Sequence, residues 1–311
     1  MKSLVISKAC AYYNLRGFSG ANLILAAPME RLKISVAASA GFCFGVKRAI
    51  RIALATVAQA KKVEMLGDIV HNEDVVHQIQ EAGIRKVQRL SAGTGKVLLI
   101  RAHGAAQRTI AKAQMLGYRI VDATCPMVKE IHRIVKERES QGYRCIIIGD
   151  RDHEEVQGIQ GQLAHRALVI DSVASIPKKI PKAFMRAAVV VQSTQNSDSV
   201  FHIIQILRSR ITDLQVHNTI CRATKKRQEE IKTMPLAHDV MLIIGSRTSA
   251  NTKRLYEIAR SLNPRSYWIQ SYHDIEPAWF TGAARVGITA GASTPEHTIH
   301  EVVATLKRLN A

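Results

Sequence analysis

The sequence predicts an α/β protein made of three similar small α/β units with parallel sheets, arranged as a pseudo-threefold trefoil. Two observations support this fold class: short aliphatic runs alternate with longer amphipathic stretches from Lys33 onward, and one cysteine-containing pattern occurs three times. Aliphatic strands that alternate with helices are typical of parallel sheets covered on both faces. The length of 311 residues allows two or three such domains.

The predicted elements alternate along the chain from residue 33. Runs rich in Val, Ile and Leu predict strands, and apolar residues at every third or fourth position predict helices. The strands occupy 33–39, 62–67, 96–102, 119–124, 143–149, 167–171, 187–193, 239–245, 266–270 and 284–290. The helices occupy 45–59, 73–83, 106–117, 126–142, 196–210, 223–234, 251–263 and 295–309. Because ligands of parallel sheets bind at the carboxyl ends of the strands, we expect the functional site in the loops that follow them.

The chain is strongly basic, since 44 Lys and Arg residues against 25 Asp and Glu give a net charge of +19, which favours anionic partners. The basic residues are spread along the chain, with their densest runs at 178–186 and 222–227, and few aromatic residues accompany them. A solvated surface is therefore favoured over a nucleic-acid footprint. No apolar run reaches the roughly 18 residues of a membrane-spanning helix. We expect neither nucleic acid nor a membrane as a partner.

Residues 1–28 contain no Asp or Glu and are rich in small and hydroxyl-bearing residues. This composition weakly resembles a transit peptide, but Met29 supports an upstream start codon or a dispensable leader at least as well. We place residues 1–32 outside the fold, as a leader or upstream extension. The protein is expected to be cytoplasmic, with organellar targeting left open.

One pattern is repeated three times, and it starts at Cys43, Cys125 and Cys221. Each cysteine precedes a helix, which leads to a strand ending in Gly and then to a polar loop. In all three copies a polar loop residue (His71, His153 or Ser249) lies 28 residues after the cysteine. Such a repeated spacing indicates three copies of one supersecondary unit. The first unit is assigned to 45–125, the second to 126–220, and the third to 33–44 together with 221–311.

A second loop in each unit adds a polar side chain: His103, Ser193 or Ser293. Three units packed around an axis would bring the three repeated thiols together inside a ring of hydroxyl, imidazole and amide groups. A helix N-terminus favours the thiolate, the form that binds metal. Three thiolates suit either an iron–sulfur cluster with one iron lacking a protein ligand or a zinc site that needs a fourth ligand. Cys10 and Cys145 are interpreted as ordinary cysteines.

The polar loops predict a phosphorylated ligand. Imidazole, hydroxyl and amide groups, with backbone N–H groups at helix N-termini, are donors suited to phosphate oxygens. No GxxxxGK[ST] or GxGxxG motif occurs, so ATP and dinucleotide cofactors have no support. Glu155 is a carboxyl group among these donors, and partial burial beside an anion would raise its pKa, as a proton donor requires. The alternative is an exposed loop glutamate.

These residues also carry a family resemblance. The stretches AGFCFGVKRAI, DATCPMV, CRATKKRQ and GITAGASTPE resemble, in order over about residues 33–309, the motifs of the LytB family of 4-hydroxy-3-methylbut-2-enyl diphosphate reductases. The resemblance implies an oxidoreductase that removes the allylic hydroxyl of this diphosphate, giving isopentenyl and dimethylallyl diphosphate. This reaction is the last step of the methylerythritol phosphate pathway.

The resemblance also implies roles for individual residues. A central [4Fe-4S] cluster would be held by Cys43, Cys125 and Cys221, and an external ferredoxin or flavodoxin would supply the electrons. Glu155 would deliver protons to the leaving hydroxyl, helped by Ser193. The substrate diphosphate would be bound by His71, His103, Ser249, Asn251 and Ser293, with His153 at the same pocket.

Three departures from the family pattern are visible: Glu154 stands where the family usually has Pro, Ser193 replaces Thr, and Ala250 replaces Ser. The loss of a donor at Ala250 predicts weaker diphosphate affinity, so Ala250→Ser should lower the KM for the substrate. A basic nucleic-acid-binding protein, or a diphosphate-binding protein that has lost turnover, is the alternative function. The intact cysteines and Glu155 favour the enzyme.

Overall fold

Twelve strands form three separate sheets in the part of the chain that the computed structural model describes, residues 32–309. The strands are β1 (Lys33–Val36), β2 (Val63–Leu66), β3 (Ile84–Val87), β4 (Val97–Ile100), β5 (Arg119–Asp122), β6 (Arg144–Ile148), β7 (Leu168–Ile170), β8 (Arg186–Val191), β9 (Asp213–Val216), β10 (Val240–Ile244), β11 (Ser266–Ile269) and β12 (Arg285–Ala290). The α-helices of residues 32–309 are α1 (Phe44–Gln59), α2 (Glu73–Glu81), α3 (Gln107–Met115), α4 (Pro126–Ser140), α5 (Glu154–Gln160), α6 (Ser197–Arg208), α7 (Arg222–Ala237), α8 (Ala250–Leu262) and α9 (Glu296–Leu309).

The three sheets are parallel and share one strand order. Sheet I runs β3-β2-β4-β5, sheet II runs β7-β6-β8-β9 and sheet III runs β11-β10-β12-β1. The last strand in each of these orders (β5, β9 or β1) is followed along the chain by one of the repeated cysteines. Because β1 pairs with β12, the first strand completes the sheet formed by the last three. The predicted α/β fold with three parallel sheets is confirmed, whereas the boundaries of the three predicted units remain a prediction.

The strands are aliphatic because both faces of each sheet are covered. In β4, Val97 and Leu99 belong to one apolar cluster, which includes residues of α1 and α2. Leu98 and Ile100 belong to another cluster on the opposite face, together with Tyr118. Successive side chains of a strand point to opposite faces, so burial on both sides requires a continuous aliphatic run.

The prediction missed β3, β9 and α5. Both strands lie at sheet edges, where fewer positions need apolar residues: Arg85 and Lys86 of β3 are exposed, and no residue of β9 is fully buried. Helix α5 has seven residues, which is too short for a periodic pattern to show. Apart from Leu32, the predicted leader at residues 1–32 lies outside the described residues. None of the helices in residues 32–309 is long and apolar enough to cross a membrane.

Glu64 is a buried carboxylate in the central strand β2 of sheet I. Its oxygens accept a hydrogen bond from the Tyr118 hydroxyl at 2.5 Å and pair with Arg85 and with Lys96. Burial by itself would raise the pKa of Glu64, but these three partners lower it from 4.5 to about 2. The ionised carboxylate therefore stabilises the folded state, because the folded form binds the proton less tightly than the unfolded chain does.

We expect Glu64→Gln to lower the free energy of unfolding by about 2 kcal/mol at pH 7, since hydrogen bonds to a charged group are lost. This contribution should be complete above pH 4.5 and should disappear as the pH falls to about 2, where wild-type Glu64 is itself protonated. Urea unfolding of both proteins at pH 7, 4 and 2.5 checks it. A difference that stays constant over this range would contradict the assignment.

Candidate functional site

Each repeated cysteine is the N-cap residue of a helix: Cys43 of α1, Cys125 of α4 and Cys221 of α7. Pro126 at the first position of α4 presets a helical φ, and the Cys221 sulfur accepts the N–H of Thr224 at 3.3 Å. The N–H of each cysteine donates, at 2.9–3.0 Å, to a carbonyl oxygen after the neighbouring central strand, and the acceptors are Ala292, Ala102 and Ser193. The sequence repeat is thus a structural repeat that holds each cysteine in the same way.

The three cysteines line one cavity of about 300 Å³. Gly45, in the first turn of α1, lies between two of them. A Cβ atom on Gly45 would lie 2.7 Å from Sγ of Cys125 and 3.8 Å from Sγ of Cys43. The Cys125 sulfur can therefore occupy its place in the cavity only because position 45 has no side chain.

The thiols also interact electrostatically. Burial raises the pKa of the Cys125 thiol and outweighs the backbone N–H groups of Met127 and Val128, which lower it; the neighbouring Cys43 and Cys221 raise it further. The expectation that the helix N-terminus favours the thiolate therefore describes the smaller effect at Cys125. A cation bound by all three sulfurs would displace the thiol protons and offset the repulsion between the thiolates that result. The donor set therefore fits a soft metal centre.

We expect Gly45→Ala to abolish most metal or cluster binding while the fold is kept. Alanine is a better helix former than glycine by about 1 kcal/mol, so helix α1 itself should not suffer. The added methyl group would instead push the Cys125 sulfur away from the common cavity. Iron and sulfide content after anaerobic purification, measured beside the melting temperature, checks this. Full metal content in the variant would show that the cysteines tolerate a wider spacing.

Arg227 lies behind two of the cysteines and was missed. It stands in the basic run interpreted as solvated surface, but it is only 4% exposed, so that interpretation is wrong for this residue. Its guanidinium donates to the carbonyl oxygens of Gly41 and Ala223, and its charge acts on Cys43 and Cys221. It therefore supplies a buried positive charge next to the thiols. The helical spacing from Thr224 to Arg227 and on to Ile231 marks one inward face and could have identified it.

Three histidines form a cluster at another part of the same cavity. The ring centroids of His71 and His103 are 4.5 Å apart, and His153 lies 5.2 Å and 5.5 Å from them. Burial, with the neighbouring imidazoles, lowers the pKa of His71 to about 4 and that of His153 to about 3. His153 caps α5, because its Nδ1 accepts the N–H of Glu155 at 3.1 Å. Its Nε2 therefore carries the proton of the neutral ring and can donate it.

Glu154 contacts this cluster from the first turn of α5. Its carboxylate pairs with Arg101 and lies 3.3 Å from Nδ1 of His103 and 3.8 Å from Nε2 of His71. Burial would raise the pKa of Glu154, but His103 and Arg101 hold it at about 2. The ion pair between Arg101 and Glu154 was also missed, because the two residues follow strands of different sheets.

Hydroxyl and amide groups from sheet III complete the cavity wall. Ser249 is the N-cap of α8, and its Oγ accepts the N–H of Thr252 at 3.3 Å. The hydroxyl of Ser293 donates to the carbonyl oxygen of His71 at 2.8 Å, which joins loops from two sheets. The side-chain Nδ2 of Asn251 is buried and has no hydrogen-bond partner among residues 32–309. Such an unpaired donor is suited to an acceptor-rich ligand.

Glu155 is the most buried carboxyl group of the cavity, with 2% of its surface exposed. Its oxygens accept the backbone N–H of Ser193 at 2.6 Å and the Ser193 hydroxyl at 2.8 Å. Burial raises the pKa of Glu155; the two bonds from Ser193 and the charge of His103 oppose this rise only in part. A buried carboxyl group with a raised pKa can hold a proton near neutral pH and donate it.

The structure brings all the predicted site residues to one cavity. Ala250, where the expected serine is absent, lines it too. The lining includes Cys43, Cys125, Cys221, His71, His103, His153, Glu155, Ser193, Ser249, Asn251 and Ser293. All of these follow the carboxyl ends of parallel strands or begin helices after them. Their roles in binding and catalysis remain predictions.

Comparison with known proteins gives a consistent result. The sequence profile of the family described as LytB protein matches residues 34–307. A 4-hydroxy-3-methylbut-2-enyl diphosphate reductase of Pelobacter propionicus is 40% identical over 279 residues, covering 90% of this chain and 99% of the relative. A protein of the same name from Aquifex aeolicus is 36% identical over 280 residues, covering 89% of this chain and 96% of the relative.

Two solved structures are similar to this chain. One, described as (E)-4-hydroxy-3-methyl-but-2-enyl diphosphate reductase, the terminal enzyme of the non-mevalonate pathway, is 34% identical with a TM-score of 0.66, covering 89% of this chain and 99% of that one. The other, an E-1-hydroxy-2-methyl-but-2-enyl-4-diphosphate reductase from Plasmodium falciparum, is 24% identical with a TM-score of 0.81, covering 88% and 87%. The second similarity supports the fold.

Proposed function

This chain belongs to the LytB family, and we propose that it reduces 4-hydroxy-3-methylbut-2-enyl diphosphate to isopentenyl and dimethylallyl diphosphate. It is an oxidoreductase of the non-mevalonate route to isoprenoids. The reaction takes two electrons and two protons, breaks the bond between carbon and the allylic hydroxyl, and releases that hydroxyl as water. The observation that carries the proposal is the meeting of three helix-capping cysteines with Glu155 in one cavity.

We propose that Cys43, Cys125 and Cys221 hold a [4Fe-4S] cluster. Three sulfur donors, each tethered by the same backbone hydrogen bond, suit a cubane cluster that keeps one iron without a protein ligand. Such a group would relay electrons from an external donor and would provide a Lewis-acid position for the hydroxyl that leaves. Arg227 offsets part of the negative charge that three thiolates bring into a buried place.

The remaining residues bind and protonate the substrate. The donors of His71, His103, His153, Ser249, Asn251 and Ser293 face a diphosphate, and the unpaired Asn251 amide is the clearest support for an acceptor-rich ligand. Binding of this remote group fixes the allyl portion of the substrate in the cavity. Glu155 then transfers a proton to the leaving hydroxyl, and Ser193 holds the carboxyl group in place.

The electrons come from outside the chain, and we propose a ferredoxin or flavodoxin as the donor. The net charge of +19 favours an acidic protein. We also propose a cytoplasmic location, since a reducing compartment keeps cysteines out of disulfides and able to bind a metal. The leader at residues 1–28, through which organellar targeting would act, lies outside the described residues.

Anaerobic turnover tests the function. Purified protein with reduced methyl viologen should convert the allylic diphosphate into the two isomeric products and should contain about four iron and four sulfide per chain. A colourless protein that binds DNA in a salt-dependent way would support the nucleic-acid alternative. A protein that binds the diphosphate but never turns it over, although its cluster is complete, would support a binding protein.

A further inference from the structure

Two large apolar side chains are exposed beside the cysteine cavity. Phe44 is 72% exposed and Met127 is 43% exposed, and both line the cavity that contains the three thiols. Phe44 directly follows Cys43, and Met127 lies two residues after Cys125. Single exposed apolar residues are ordinary, but two at the opening of one cavity indicate a contact surface.

Basic side chains accompany these two residues. Lys47, Arg222 and Lys226 are exposed on the first or second turn of α1 and α7, and none of the three has an ion-pair partner within residues 32–309. The first turns of α1, α4 and α7 contain no Asp or Glu, although the helix dipole favours carboxylates there. The first turns of α2, α5, α6 and α9 do contain them. Helices α3 and α8 share this lack, and at the cysteine helices it leaves no acidic side chain in the first turn that would repel an acidic partner.

We propose that Phe44, Lys47, Met127, Arg222 and Lys226 form a docking surface for an acidic one-electron carrier protein. The inference rests on the proposed function, which needs external electrons at the cysteines. Because each cysteine caps its helix, Phe44 directly follows the proposed sulfur ligand Cys43. Lys47 lies only about 6 Å from Cys43 along the axis of α1. A small interface with an apolar centre and charged surroundings suits a transient electron-transfer complex.

Charge decides between this occupant and others. A second copy of this chain would present the same positive charges and would be repelled. A single-stranded nucleic acid is usually bound by several aromatic rings on which its bases stack, whereas the surface offers only Phe44. The charges of these exposed lysines are screened by water and salt and act over short distances. They therefore affect a protein that docks on them more than the sulfurs in the cavity.

The experiment compares two double charge reversals. Lys47→Glu/Lys226→Glu changes the docking surface, and Lys179→Glu/Lys182→Glu is the matched control with the same change in net charge. Lys179 and Lys182 are exposed and precede β8, so they lie at the opposite end of sheet II from the loop that contains Ser193. Each holoenzyme is assayed with a purified acidic ferredoxin and, separately, with reduced methyl viologen, and ferredoxin binding is measured by calorimetry.

We expect the docking-surface reversal to weaken ferredoxin binding and raise its KM about tenfold at about 20 mM salt, with the loss disappearing near 0.5 M salt, as screening requires. The control variant should change ferredoxin binding and the KM for ferredoxin by less than twofold. Activity with methyl viologen should be unchanged in the two variants. Equal losses in the two variants would overturn the proposal, as would a parallel loss of viologen activity. Binding of single-stranded DNA that is lost only in the Lys47→Glu/Lys226→Glu variant would also overturn it. Absence of viologen activity in the wild type would instead refute the proposed reductase, because ferredoxin binding is measured independently of turnover.

Discussion

Cys125→Ser is expected to yield a colourless protein with less than about a thousandth of the wild-type activity, since a serine hydroxyl is a poor ligand for iron at neutral pH. Cys43 and Cys221 both raise the pKa of the Cys125 thiol, and Gly45 leaves space for its sulfur. The brown colour, the iron and sulfide content and the turnover rate should fall together.

The chain contains a matched control at Cys145. This thiol is also buried and free, but it lies in β6 and contacts the carbonyl oxygen of Val135 at 3.7 Å, away from the cavity. Serine can donate to the same carbonyl, so Cys145→Ser should keep the fold, the colour and the activity. If the two variants behaved alike, or if Cys125→Ser kept its cluster, the three-cysteine site would be wrong.

The site residues could be predicted from the sequence because they belong to a repeat. Parallel strands place their carboxyl ends at one edge of a sheet, so a spacing of 28 residues that recurs after Cys43, Cys125 and Cys221 already places equivalent loops at equivalent positions. The β-branched central strands were equally clear, because burial on both faces requires them to be aliphatic.

The residues that escaped prediction depend on contacts between units. Arg101 and Glu154 are far apart in sequence and meet only because loops of sheets I and II face the same cavity. Arg227 resembles its exposed neighbours in composition, and only its position on the inward face of α7 distinguishes it. Edge strands β3 and β9 carry polar residues because water covers part of them. Each omission reflects tertiary placement, which local composition does not encode.

Adjacent glutamates in the first turn of α5 have opposite environments. Glu154 is ionised, because Arg101 and His103 hold its pKa at about 2. Glu155, one residue later, is turned into the interior beside Ser193, where burial raises its pKa. Neighbouring carboxyl groups whose pKa values are moved apart in this way are suited to different tasks. We therefore expect Glu154 to position the imidazoles and Glu155 to act as the acid.

Glu155→Gln is therefore expected to lower kcat by about a thousandfold, within the range that removal of a general acid produces. The amide keeps the size of the side chain but has no acidic proton, so cluster content and the KM for the diphosphate should change little. Glu154→Gln is the matched control at the neighbouring position. Because it loses the ion pair with Arg101 beside the imidazoles, it should change KM more than kcat.

The pH dependence separates proton donation from a merely structural role. In the wild type, kcat should fall as the pH rises through the elevated pKa of Glu155, since only the protonated form donates. The groups that face this carboxyl group are Ser193 and His103, and the amide of Glu155→Gln does not titrate. The residual activity of that variant should therefore lose this alkaline limb, whereas Glu154→Gln should retain it. An unchanged limb in Glu155→Gln would assign the proton to another group, and the cavity would then need a different acid.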